Sequence, residues 1–135
     1  MSREPIRWAV ALDGGTTNTR ARLIHDGRVV RTARRAVGVR DSVRTAGPET
    51  LAQAVREAIE EVLDTGEGIT PDAIVAAGML SADVGLASVP HVVAPAGVEE
   101  LAQAAVVREL PDVSDLPVLF VPGVRTMPTA GLDGW

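Results

Sequence analysis

Residues 8–25, Trp-Ala-Val-Ala-Leu-Asp-Gly-Gly-Thr-Thr-Asn-Thr-Arg-Ala-Arg-Leu-Ile-His, constrain the fold more than any other stretch. The run from Trp8 to Leu12 is nearly all apolar, as in a strand covered on both faces. It stops at Asp13. Gly14 and Gly15 can take backbone angles closed to other residues, so residues 13–18 are expected to form a tight turn. Ala21 and Leu23 then alternate with Arg20 and Arg22, which predicts a second strand over 19–25. Asp26-Gly27 is a hairpin signal, and residues 28–35 return as a third strand. Three antiparallel strands are thus expected in the first 35 residues.

The chain then changes character. Residues 36–47 contain Gly38, Asp41, Ser42 and Gly47 and read as a loop. Pro48 sits where a helix can begin. In residues 49–64, Leu51, Val55, Ala58, Ile59 and Val62 form one apolar stripe, with Glu49 at the positive end of the helix dipole. Glu57, Glu60 and Glu61 fall on the outer face as solubilising charge. Gly66 and Gly68 end that helix. Ala73–Ala77 is a short buried strand closed by Gly78. Strand, helix, strand in this order predicts a crossover and a parallel pairing. Residues 78–89 read as a loop or short helical turn over the strand ends. His91–Ala94, bracketed by Pro90 and Pro95, suits an edge strand. A second helix is expected over 98–110 and a last strand over 117–121.

Composition closes several routes. The 135 residues suffice for one core. Aromatic residues are only 2%, so that core must be packed from small apolar side chains. The net charge of −5 argues against a general nucleic-acid binder. Only residues 28–44 are locally basic, with Arg28, Arg31, Arg34, Arg35, Arg40 and Arg44. They form either a solvated face or a surface for an anion or an acidic partner. There is no cysteine, hence no disulfide or thiolate chemistry. His25 and His91 lie far apart without patterned carboxylates, a weak basis for zinc. No apolar run is long enough to span a membrane and no signal-peptide pattern opens the chain, so a cytoplasmic protein is expected.

The turn at 13–20 carries the chemistry. Phosphoryl transfer needs charge neutralised on oxygens held in fixed geometry. Gly15 and its neighbours let backbone N–H groups approach an oxyanion. Thr16 and Thr17 add hydroxyl donors. Asp13, at a strand end, can hold Mg²⁺ directly or through water. Arg20 can meet an anionic group. The plain alternative is a hairpin turn in which Asp13 caps backbone N–H groups. The Walker pattern is absent.

The order of elements resembles the ribonuclease H-like (actin-like ATPase) unit, an α/β domain. Its mixed sheet has antiparallel strands 1–3, then parallel strands with crossover helices. Ribonucleases, integrases and sugar kinases share it, so fold alone does not choose a function. A nuclease would need strand-end carboxylates clustered for two metals, and only Asp13 holds such a place.

Ala11-Leu12-Asp13-Gly14-Gly15-Thr16-Thr17-Asn18-Thr19-Arg20-Ala21 resembles the opening of the 2-dehydro-3-deoxygalactonokinases. Gly38-Val39, Ala77-Gly78-Met79-Leu80, Val89-Pro90-His91 with Ala94-Pro95-Ala96, and Val121-Pro122-Gly123-Val124 resemble further family segments in the same order. The resemblance implies an ATP- and Mg²⁺-dependent kinase that phosphorylates the 6-hydroxyl of 2-dehydro-3-deoxygalactonate. It makes Asp13 similar to the family's metal-organising aspartate, and Gly15, Thr16 and Thr17 similar to its phosphate loop. Asn18 and Arg20 match positions near the phosphates or the sugar acid.

Three positions depart from the family pattern. Gly14 and Leu86 stand where tryptophan is usual, and Asp83 stands where an arginine would suit the substrate carboxylate. Family members have a second domain, so residues 1–135 are expected to be an N-terminal domain that cannot catalyse alone. No catalytic base is identifiable in it. Its partners would be the sugar acid and the second domain or a complementary half, with self-association through an exposed apolar surface as a further expectation. The alternative function is a non-catalytic, degenerate kinase-like domain acting as a binding or assembly subunit.

Overall fold

A computed structural model of the protein describes residues 6–42, 48–78, 80, 86–87 and 89–125. Strands β1 (Trp8–Gly14), β2 (Thr19–His25) and β3 (Arg28–Arg35) form the antiparallel system expected from the opening residues. Asp26 and Gly27 both have positive φ, 49° and 81°. That is the backbone of a type I′ turn, whose twist matches the strands it joins.

Helix α1 (Val39–Ser42) is a single turn inside the segment expected to be a loop. Helix α2 (Pro48–Leu63) follows, with Leu51, Val55, Ala58, Ile59 and Val62 all buried. Gly66 and Gly68 have φ of 82° and 66°, so the chain leaves the helix through conformations that side chains disfavour. Strand β4 (Ala73–Gly78) returns parallel to β1, in register Leu12 to Ala76 and Asp13 to Ala77.

The second half departs further from expectation. The segment expected to be a helix over 98–110 divides. Helix α3 (Val98–Ala104) ends early, and Val106–Arg108 is a strand. None of the α3 residues is buried, so no packing extends the helix. The β-branched pair Val106-Val107 instead suits an extended edge. Numbering in chain order, β5 is Val92–Val93, β6 is Val106–Arg108, β7 is Val118–Phe120 and β8 is Val124–Arg125. The main sheet runs β3-β2-β1-β4-β7-β6. Strand β7 is parallel to β4, and β6 is antiparallel to β7. The segment between Pro90 and Pro95 is not an edge of this sheet. It pairs with β8 in a separate two-stranded ribbon.

The core lies on one face. Val10, Leu12, Ala21, Leu23, Ala33, Ile74, Ala76, Val118 and Phe120 point toward α2 and are buried. Alternate positions carry Ala9, Ala11, Asp13, Arg20, Arg22, Thr32, Arg34 and Val75 on the other face, half-buried or exposed. So β1 is not sealed on both sides, as its apolar run suggested. Small alanines there satisfy a face that is only partly covered.

The basic strand is mostly spent on packing. Arg35 bridges to Glu61 at 2.8 Å and Glu57 at 3.5 Å, and Arg31 donates to the Glu61 carbonyl oxygen at 2.9 Å. Glu57 and Glu61 therefore tie α2 to the edge strand and are more than solubilising charge. Glu61, then Glu57, hold the Arg35 guanidinium in its charged form, above its ordinary pKa. The outer side of α2 carries a cleft of about 490 Å³ lined by Glu49, Gln53, Arg56, Glu57, Glu60 and Asp112, so carboxylates outweigh its single guanidinium. An anion would be repelled there.

Asp72 fixes the other end of β1. Its carboxylate accepts the backbone N–H groups of Arg7 (2.9 Å) and Trp8 (3.0 Å). The bond from Trp8, then that from Arg7, hold the Asp72 carboxyl below its ordinary pKa. The folded state therefore favours the ionised form. That stability is complete at neutral pH, begins to fall near the ordinary carboxyl pKa and is lost as pH drops through the depressed folded-state value. Asp72→Asn is expected to melt lower than the unchanged chain at pH 7, with the gap narrowing from about pH 5 downward as the Asp72 carboxyl is protonated. Thermal melts across that range check it; a constant gap would contradict it.

Candidate functional site

Asp13 is exposed at the carboxyl end of β1, directly opposite Arg20 on β2 and beside Ala77 on β4. Strand ends facing a turn are where parallel α/β sheets present chemistry. Among the described residues the Asp13 carboxylate has no hydrogen bond or ion pair, and Arg20 does not close on it. Gly78 keeps the space beside it. A Cβ at Gly78 would come within 2.8 Å of Asp13 Oδ1, and its φ of 68° also disfavours any side chain.

The turn itself is held from inside. The Gly15 N–H donates to the Asn18 carbonyl oxygen at 2.8 Å. It is therefore not turned outward as an anion donor, as glycine-rich composition suggested. Neither Gly14 nor Gly15 has positive φ. What Gly14 supplies is room, because a Cβ there would overlap the buried Leu80 side chain. The carbonyl oxygens of Gly15 and Thr16 accept the N–H groups of Val39 (3.1 Å) and Arg40 (3.0 Å). Gly38 lies directly on the backbone of Thr16 and Thr17. Buried Thr19 donates its hydroxyl to the Val37 carbonyl oxygen at 2.7 Å. The turn thus rests on residues 37–40 by backbone contact, leaving the Thr16 and Thr17 side chains exposed.

Asn18 is fixed by Arg34, one of the arginines of the basic stretch. Arg34 donates to Asn18 Oδ1 from Nε at 3.1 Å and from Nη2 at 3.0 Å. Asn18 Nδ2 then donates to Thr17 Oγ1 at 2.9 Å. Sequence gives no signal for Arg34: an irregularity between Leu23 and Ile24 shifts the hairpin register and so brings it opposite Arg20.

The structure therefore brings Asp13, Thr17, Asn18 and Arg20 to one sheet end and adds Arg34, Gly38 and Gly78. His25 stacks on Trp8 at 3.9 Å at the opposite end of β1 and takes no part. His91 is exposed, with its ring over Gly123. Met79 and Asp83 lie outside the described residues, and Leu86 packs half-buried against the core. Among the described residues no three acidic or histidine side chains converge as a metal cage. No described helix is long and apolar enough to cross a membrane.

A mixed sheet of this order, with a hydroxyl-bearing turn after its first strand, defines the ribonuclease H-like, actin-like ATPase class of α/β domains. A model of the 2-keto-3-deoxy-galactonokinase family matches residues 13–133. The chain belongs to that family.

Among solved structures it is similar to a Sinorhizobium meliloti protein provisionally described as a 2-dehydro-3-deoxygalactonokinase. The TM-score is 0.65 at 25% identity, over 90% of this chain and 37% of that one. A PPX-GPPA enzyme of Aquifex aeolicus aligns over 90% of this chain and 36% of its own, at 16% identity and a TM-score of 0.43. The chain thus spans little more than a third of the length of either. No curated protein matches it significantly.

Proposed function

We propose that this chain supplies the phosphate-binding half of an ATP-dependent kinase that phosphorylates 2-dehydro-3-deoxygalactonate on its 6-hydroxyl. The observation that carries the reading is the Asp13 carboxylate, which has no partner among the described residues. It lies opposite Arg20 and beside the exposed Thr16-Thr17 turn, with Gly78 keeping its flank open. Family membership supports the reaction class.

The residues suit Mg²⁺ brought in by a nucleotide. Mg²⁺ keeps most of its waters and is commonly held by one or two carboxylates together with phosphate oxygens. One exposed aspartate meets that need, whereas a metal bound alone would want more ligands. Bound there, Mg²⁺ would neutralise phosphate charge. Asp13 would orient it, the Thr16 and Thr17 side chains would face the phosphates, and Arg20 would add positive charge at the same sheet end. Tight nucleotide binding and turnover are assigned to a second domain, with the sugar acid between the two. A cytoplasmic location follows from this reading.

Titration of the chain with ATP tests it. Weak binding that requires Mg²⁺ is expected, with Asp13→Asn weakening it at least about tenfold, the worth of one charge-assisted interaction. Equal affinity for both proteins, or indifference to Mg²⁺, would remove Asp13 from the site. Binding of neither at millimolar ATP would sink the reading for this chain.

A further inference from the structure

We infer that Arg34, on the edge strand and outside the turn, is a positioning residue that sets the direction of the Thr17 hydroxyl proton. The inference rests on the phosphate-site reading above and deepens it. An asparagine side chain carries an acceptor on one arm and donors on the other, so its orientation depends on its neighbours. Here the neighbours settle it. Arg34 has only donors to offer, and two of them meet at Asn18 Oδ1, at 3.1 and 3.0 Å. A flipped amide would turn N–H groups on the guanidinium and lose both bonds. The Nδ2 arm must therefore face Thr17, and it does, donating to Oγ1 at 2.9 Å. With that lone pair occupied by a donor, the Thr17 O–H is the part left to point outward. Thr17 is exposed, and only its backbone nitrogen lies against Gly38. Its hydroxyl is thus prepared as a donor, the polarity a phosphate oxygen requires.

The arrangement also explains two arginines directly opposite each other on neighbouring strands, Arg20 and Arg34. Like charges in that position repel. Arg34 is drawn to a neutral acceptor on the turn, and Arg20 remains without a partner among the described residues. One arginine builds the turn and the other is left for an anion.

The test is a double-mutant cycle on Mg·ATP affinity using Arg34→Met and Thr17→Val, with Thr17→Ser as the conservative control. Each of Arg34→Met and Thr17→Val is expected to weaken binding about tenfold. Together they should cost no more than either alone, because both remove the same donated proton. Thr17→Ser should bind like the unchanged chain. In amide NMR spectra of the ligand-free chain, Thr17→Val should shift the Asn18 side-chain NH₂ signals. Additive losses would overturn the inference, since Arg34 would then act on the phosphates by charge alone. A loss in Thr17→Val with none in Arg34→Met would overturn it while leaving the phosphate site standing. Full binding by Thr17→Val would remove Thr17 from the site and overturn the inference with it.

Discussion

Gly38→Ala is expected to destabilise the chain by about 3 kcal/mol, a loss of roughly 10 °C in Tm. The glycine is not needed for its backbone angle, because its φ is not in the left-handed region. It is needed for space. A methyl group there would overlap the Thr16 carbonyl and the Thr17 amide nitrogen. Those are backbone atoms, so no rotamer change can yield. Either residues 15–18 lift away or α1 retreats, and both break the bonds from Val39 and Arg40 to the turn. Thermal or urea unfolding measures the first effect, and amide shifts at residues 15–18 measure the second. A variant that melts normally with unmoved turn signals would mean that the turn does not rest on Gly38.

Phe120→Ala should cost more, about 3–5 kcal/mol, out of a total that for such domains is roughly 5–15 kcal/mol. Phe120 is the chain's single phenylalanine and is wholly buried at the end of β7, between Ala76 on β4 and Val106 on β6. Its neighbours on those strands are small, and small branched or methyl side chains cannot swing into the space it leaves. The cavity therefore stays open and its full penalty is felt. Denaturant melts would show a lower midpoint with an unchanged slope. A loss under about 1 kcal/mol would mean that the surroundings collapse, against the packing described.

Much of this architecture is legible from residues whose local preference and tertiary role agree. Asp26-Gly27 demands positive φ twice and obtains it. The stripe from Leu51 to Val62 is helical by period and buried by contact. Legibility fails where the two diverge. Leu101, Ala104 and Leu110 repeat at helical spacing, yet residues 98–104 bury nothing, so a three-residue strand takes Val106–Arg108 through pairing with distant Val118–Phe120. No local pattern announces a partner about a dozen residues away. At the site, composition points to the turn but not to what its glycines do. Gly15 turns its N–H inward, and Gly14 makes room for Leu80. Arg34 was invisible for the opposite reason. In a strand with four arginines, only three-dimensional geometry separates the one that reaches Asn18 from those that reach α2.

The pairing of β1 with β2 has a consequence for how such a chain tolerates change. The same two-residue alternation that turns Val10 and Leu12 toward α2 turns Ala11 and Asp13 the other way. A slip of one position, from an inserted or deleted residue in β1, would carry the carboxylate into the apolar layer and the leucine into water. Solubility and chemistry are thus specified by one parity rule. A variant that keeps Val10 and Leu12 buried and their spacing to residue 13 unchanged is expected to keep Asp13 on its proper side when it melts cooperatively. A screen for folded protein would therefore also select for site geometry, without any substrate being present.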